Sequence, residues 1–153
     1  MPDSIPSKET NLLVNDFLPY RLAVLAKTVG IAFSKTYEER FGISNAQWRV
    51  LHALGRQQDC SASFVVQHAA LDKVQVSRAV AGLIQMRLVE RQTDDTDRRN
   101  SVLNMTAEGR AIYDQIVPEA LAFEAKMIAG LSDDGARQLD ALLTKLMSKA
   151  EML

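Results

Sequence analysis

The sequence predicts a mainly α-helical protein with one small β-hairpin, and three observations carry that expectation. Apolar residues recur at three- and four-residue intervals over most of the chain, the period of a helix that buries one stripe. Ser, Thr or Asp stands before most of these runs, where a side-chain oxygen can accept from the free N–H groups of a first turn. Between residues 88 and 105 the pattern changes to two short runs, "LVERQ" and "SVLNM", joined by the wholly polar stretch "TDDTDRRN". Such a pair predicts an antiparallel hairpin with a long tip.

Each element follows in order. Residues 1–14 are polar, hold Pro2 and Pro6, and predict a flexible tail. From Asn15 or Asp16 a long helix is expected, striped by Leu18, Leu22, Leu25, Val29, Ala32 and Tyr37 and stopped by Gly42. Ser44 caps a second helix in a capping box with Gln47, and Trp48, Leu51 and Leu54 form its apolar face. A third starts near Ser61 or Ser63, runs through Phe64, Val65, Ala69 and Ala70, and breaks at Leu71-Asp72. Asp72, with Gln75 at the third position, caps a fourth helix from Lys73 to about Arg87.

After the hairpin, Thr106 and Glu108 open a fifth helix striped by Ile112, Ile116, Phe123 and Met127. Pro118 falls inside it and should kink it, because proline removes one backbone bond and crowds the preceding turn. Gly130 ends it, Ser132 caps the last helix, and Leu139, Leu143, Leu146 and Ala150 line one face. Helix, turn, helix and two-stranded hairpin in succession define a winged helix-turn-helix, here residues 44–105 within one domain spanning 15–150. The helical stretches 15–42 and 106–150 carry stripes that one small domain cannot cover, so they are expected to form a homodimer.

Composition narrows the function classes. A chain of 153 residues with 47% hydrophobic and 24% charged residues is globular rather than disordered. Its first thirty residues hold no apolar run beyond Leu22 to Ala26, so neither a membrane anchor nor a secretory leader is expected, and the protein reads as cytoplasmic. Two histidines, one cysteine, and no phosphate-cradling glycine loop or metal-ligand spacing argue against an enzyme and call for no cofactor or metal. The net charge of −1 is uninformative about nucleic acid, because binding depends on where the charges sit.

The fourth helix and the hairpin tip place charge selectively. With Val80 at the centre of the buried face, Val76, Leu83 and Ile84 share its side, and Val74, Gln75, Arg78, Ala81, Gly82 and Gln85 lie opposite. Glutamine can pair bidentately with adenine and arginine with guanine, so Gln75 and Arg78 are candidate base readers. Val74 suits a thymine methyl and Ser77 a phosphate, and Lys73 is a further candidate DNA-binding residue. Gly82 with Ala81 flattens the outward surface and allows another surface to approach closely. A hairpin directly after such a helix is a wing, and Arg98 and Arg99 at its tip fit an adjacent minor groove, where negative potential attracts arginine. Asp97 is placed to orient a guanidinium by a charge-assisted pair.

At these residues the chain resembles a known family. "GISNAQWRVLHAL" (42–54), "SRAVAGLIQMRLVER" (77–91) and "DDTDRRNSVLNMTAEGR" (94–110) resemble the multiple-antibiotic-resistance regulator (MarR) family of bacterial transcription factors. Gln85-Met86-Arg87, where a run ending in glycine is usual, and Met105, where leucine is common, depart from the pattern. The resemblance implies a homodimer interlocked through its first, fifth and sixth helices, with one winged helix on each half of a pseudo-palindromic double-stranded DNA operator. It also implies repression relieved by a small phenolic or aromatic-carboxylate ligand bound between the dimer helices and the DNA lobe. Trp48, Arg49 and His52, on one edge of the second helix, are the candidate ligand residues. Two other readings remain open: a winged-helix protein-interaction module without sequence-specific DNA binding, and a redox-responsive regulator using Cys60. Peroxide-sensing relatives carry their cysteine near the start of the first helix, where this chain has none.

Overall fold

The computed structural model describes residues 16–93 and 101–153. The expected tail, residues 1–14, and the wing-tip residues Asp97, Arg98 and Arg99 lie outside the described residues. Six helices and one hairpin follow in the order α1 (Leu18–Phe41), α2 (Asn45–Leu54), α3 (Ala62–Ala69), α4 (Lys73–Gln85), β1 (Val89–Thr93), β2 (Ser101–Met105), α5 (Ala107–Ile128) and α6 (Asp133–Ala150).

Capping chemistry sets most boundaries. Ser44, Ser61, Asp72, Thr106 and Ser132 each accept a backbone N–H from the first turn of the helix that follows. α1 starts two or three residues later than expected, because Pro19 occupies its first turn, where a missing N–H costs nothing. Gly42 ends it with φ 67°, the left-handed conformation glycine adopts without strain. α3 ends at Ala69 with Ala70 itself left-handed, one residue short of the expected break. The chain stays helical on both sides of Pro118.

α2 lies at the centre of the core. Val50, Leu51, Ala53 and Leu54 are buried among Val65 of α3, Val80 and Leu83 of α4, Leu103 of β2 and Ile116 of α5. The hairpin pairs Val89 with Met105 and Thr93 with Ser101, one residue later on its first strand than the sequence pattern implies. Its inner edge gains an unanticipated partner: Cys60, in the α2–α3 connection, exchanges both backbone hydrogen bonds with Leu103, at 3.2 and 2.8 Å. At the start of α5, a Cβ on Gly109 would overlap the Leu88 carbonyl oxygen, so α5 enters against the base of the hairpin.

The outer helices are bare. α1 buries only Ser34 and Tyr37, and no residue of α6 is buried. Leu22, Leu25 and Ile31 of α1 and Leu139, Leu143 and Leu146 of α6 are all exposed. Among the described residues no helix is long and apolar enough to cross a membrane.

Candidate DNA interface and ligand cleft

The orientation of α4 follows from which of its residues are buried: Val76, Ala79, Val80 and Leu83. At 100° per residue these centre the buried arc about 50° away from Val80, toward Ala79. Ile84 therefore falls outside it and is exposed, contrary to expectation. The same rotation re-centres the opposite face on Val74, Ser77, Arg78, Ala81 and Gln85, all exposed. Lys73, in the first turn, is also exposed. Arg78 is exposed and has no carboxylate partner among the described residues.

The rotation corrects the reading of Gly82. It does not lie on the outward face but on the flank turned to α2, where an added Cβ would stand 2.5 Å from Gln47 Nε2. Gln47 Nε2 also reaches Met86 Sδ at 3.9 Å, while its Oε1 accepts the Ser44 N–H at 2.8 Å. The surface that approaches the small residue is thus the first turn of α2. Gln47 joins the α2 cap to the C-terminal end of α4, a contact the sequence signalled only through a capping glutamine and an interior helical glycine.

Gln75 is exposed but its side chain is engaged. Asp72 Oδ1 accepts the Gln75 N–H at 2.7 Å, and Gln75 Oε1 accepts the Asp72 N–H at 3.1 Å. Bidentate pairing with adenine needs both amide atoms, so Gln75 must release Asp72 to read a base; its Nε2 alone is free of this cap. The expected wing residues Asp97, Arg98 and Arg99 lie outside the described residues, and the hairpin that carries them is present.

A concavity of about 760 Å³ opens between α1, α2 and α5. Phe33, Trp48 and Phe123 supply its apolar wall, and Lys27 and Arg49 bring two cations to it. The rings are mutually braced: Phe33 meets Trp48 at 5.9 Å and Phe123 at 5.2 Å between centroids, and Trp48 stacks on Tyr113 at 5.7 Å. Behind them, burial pushes the Tyr37 phenol up to about 12, partly offset by its hydrogen bond with Asn45. Tyr37 is therefore a neutral structural group.

A smaller cleft of about 280 Å³ shares Trp48 and Arg49 and adds His52 and His68. The three expected ligand residues are thus brought together, but unequally. Trp48 is mostly buried and Arg49 half-buried, with Nη1 donating to the Ala70 carbonyl at 3.4 Å. His52 is largely exposed, with its ring 6.0 Å from Trp48. Desolvation, and then the nearby Arg56, push its pKa down, so at neutral pH it is an uncharged donor or acceptor rather than a cation. Lys27, Phe33, Phe123 and His68 were not anticipated, since only packing brings α1, α3 and α5 to this edge of α2.

Cys60 is fully buried, and its Sγ donates to the Gln57 carbonyl at 3.3 Å. Burial, and secondarily Asp59, push its thiol pKa up. A reactive sensor needs an accessible thiolate, so this environment weighs against the redox alternative.

An exposed recognition-type helix followed at once by a hairpin, both seated on a compact helical lobe, defines a winged helix-turn-helix DNA-binding protein. Residues 41–100 match the model of the MarR family. The chain is 25% identical over 114 residues to the HTH-type transcriptional regulator BilQ of Clostridium symbiosum, covering 74% of this chain and 79% of BilQ. The fold superposes on a MarR/EmrR family transcriptional regulator from Acinetobacter sp. ADP1 with a TM-score of 0.83 and 26% identity, covering 92% of this chain and 99% of that one. It also matches Bordetella bronchiseptica BpsR, whose DNA binding is regulated by 6-hydroxynicotinic acid, at TM-score 0.77 and 27% identity over 85% of this chain and 98% of that one. Over the winged helix-turn-helix the chain is thus similar to transcriptional regulators of the MarR family, and over most of its length its fold is theirs.

Proposed function

We propose that the protein is a homodimeric repressor that binds a pseudo-palindromic operator and releases it when a small aromatic or phenolic acid enters the cleft between α1, α2 and α5. The observation that carries the DNA half of this reading is the α4 face of Val74, Ser77, Arg78, Ala81 and Gln85, which is exposed and short-chained except where it can hydrogen-bond. Inserted in a major groove, Arg78 pairs with a guanine edge and Val74 packs on a thymine methyl. Gln75 reads adenine if it leaves its cap. Lys73, in the first turn at the positive end of the helix, and Ser77, one turn further on, hold phosphates. Arg98 and Arg99 serve the minor groove, with Asp97 orienting one of them.

The ligand half is supported by the cleft: an aromatic wall of Phe33, Trp48 and Phe123 suits a planar ring, and Lys27 with Arg49 suits its carboxylate. Regulation of BpsR by 6-hydroxynicotinic acid, a hydroxylated aromatic carboxylic acid, agrees with that chemistry. The dimer is supported by the bare apolar faces of α1 and α6, whose exposed leucines and isoleucine form stripes that call for a covering surface. The test is Arg78→Ala on duplexes selected by the wild-type protein from a randomised pool. A loss of about 1–3 kcal/mol confined to one base pair of each half-site supports base reading. An equal loss on selected and random duplexes makes Arg78 a phosphate contact and overturns its assignment.

A further inference from the structure

We propose that Asp59 and Asn104 form a clamp that sets the angle of the wing and thereby governs how the protein responds to sequence flanking the α4 contacts. The inference rests on the reading of Arg98 and Arg99 as minor-groove residues, and makes Asp59 and Asn104 positioning residues with no contact to DNA of their own.

The clamp is reciprocal. The Asp59 backbone N–H donates to Asn104 Oδ1 at 2.8 Å, and Asn104 Nδ2 donates to Asp59 Oδ1 at 2.8 Å. The two bonds close a ring between the α2–α3 connection and strand β2. Asp59 makes them from a left-handed backbone, φ 53°, which strains most side chains and is tolerated best by glycine, asparagine and aspartate. Immediately beside them Cys60 and Leu103 exchange their two backbone bonds. The base of the hairpin is seated in the core by Leu88, Val89 and Leu103, and β2 is further fastened to the α2–α3 connection by the backbone bridge at Leu103 and the side-chain ring at Asn104.

Geometry gives this fastening leverage. On the flank of the hairpin lies a polar cleft of about 320 Å³, lined by Gln57, Glu90, Asn104 and Arg110 among others. Asp59 and Asn104 both line it, so the ring they form stands at the edge of a solvent-filled gap and not within close packing. From Asn104 the strand runs outward to Ser101, roughly 10 Å at the usual rise per residue. A rotation of about 10° at the clamp then displaces the outer end by roughly 2 Å, enough to take a donor out of hydrogen-bond range. The buried Val89 and Leu103 and the bridge at Leu103 hold the base of the hairpin but leave its outer part to turn about that base. The side-chain ring one residue away adds two bonds that oppose that turning.

The experiment compares Asn104→Ala, Asp59→Gly, Asp59→Asn and the Arg98→Ala/Arg99→Ala pair. Each is titrated against duplexes with one fixed core, selected by the wild-type protein, and flanks that are either A·T-rich or G·C-rich. Thermal midpoints are measured in parallel. Asn104→Ala, which removes both bonds, is expected to shrink the A·T-over-G·C flank preference about threefold or more, since that preference is read through groove width. Its discrimination between matched and mismatched cores, which belongs to α4, should stay within about twofold. Asp59→Gly keeps the backbone donor and loses the acceptor, so an intermediate loss is expected. Asp59→Asn keeps both bonds and the left-handed tolerance, and should retain the wild-type preference.

Loss of flank preference in both the arginine pair and Asn104→Ala, with core discrimination and thermal midpoint retained, supports the clamp. If the arginine pair loses the preference while Asn104→Ala keeps it, the wing reading stands and the clamp is overturned. If the arginine pair keeps it, the wing reading fails first and takes the clamp with it. A fall in affinity on every duplex together with the thermal midpoint makes Asn104 a fold-stabilising residue and also overturns the proposal.

Discussion

Gly82→Ala separates intrinsic helix propensity from the contact that α4 makes with α2. In an exposed helix interior, alanine is favoured over glycine by about 1 kcal/mol, so propensity alone makes the variant more stable. The structure opposes this. The new methyl stands 2.5 Å from Gln47 Nε2, roughly 1 Å closer than ordinary contact, and the Gln47 amide must retreat. Its Oε1 then leaves the Ser44 N–H, now accepted at 2.8 Å, at a cost of about 0.5–1.5 kcal/mol for the broken cap bond. The two effects nearly cancel, and the expected net change is within about 0.5 kcal/mol of zero. A double-mutant cycle exposes the cancellation. In a Gln47→Ala background nothing obstructs the methyl, and Gly82→Ala should recover the full stabilisation of about 1 kcal/mol, a coupling of similar size between the two sites. The assay is urea unfolding at one fixed protein concentration, because association adds to apparent stability. Stabilisation by about 1 kcal/mol in both backgrounds would refute the reasoning, for it would mean that Gln47 yields at no cost.

Three further outcomes are expected. Gly109→Ala should destabilise by about 3–5 kcal/mol in denaturant unfolding: overpacking costs 1–3 kcal/mol, and the displaced Leu88 carbonyl also accepts the Thr106 N–H at 3.1 Å; a wild-type midpoint would mean that the start of α5 is not wedged on the hairpin. Arg87→Gly should stabilise by about 0.5–1 kcal/mol, because Arg87 holds φ 61° and relief of that strain exceeds the extra chain entropy of glycine; loss of stability would show that the Arg87 side chain makes a compensating contact. Cys60 should react slowly with an aromatic disulfide reagent at neutral pH and rapidly in urea, since burial raises its pKa and keeps the thiol protonated. The raised pKa also gives the sign of its pH linkage: the stabilisation from the neutral thiol is present at neutral pH and is lost as pH rises above the ordinary thiol range. Fast reaction of the native protein at neutral pH would restore the redox alternative.

The features legible in the sequence were those fixed by neighbours along the chain. Ser44 with Gln47 and Asp72 with Gln75 are three residues apart, and a capping box needs nothing beyond that spacing; both are present as expected. The hairpin was legible for the same reason, to within one residue on β1. Periodicity fixed that α4 has a buried face but not where the face is centred, because any of its apolar positions can serve as the middle. Ala79 is buried and Ile84 is not, a choice made by the neighbouring elements rather than by hydrophobicity. That offset of about 50° moves Gly82 from the outward surface to the α2 contact and leaves Arg78 facing out.

The cleft was only partly legible, since Lys27, Phe33, Trp48 and Phe123 come from three helices and nothing local relates them. Seen together, these placements tie the two halves of the proposed function to one short segment. Trp48 and Arg49, which line the cleft, directly follow Gln47, which touches the flank of α4 at Gly82 and Met86. A helix turn is rigid over that distance, so a ligand that shifts Trp48 and Arg49 must also carry Gln47 with it. Arg78 sits one turn from Gly82 on the same helix. Under the proposed function the first turn of α2 joins the cleft to the seating of α4, and the Gln47–Gly82 cycle measures the contact on which that joint rests.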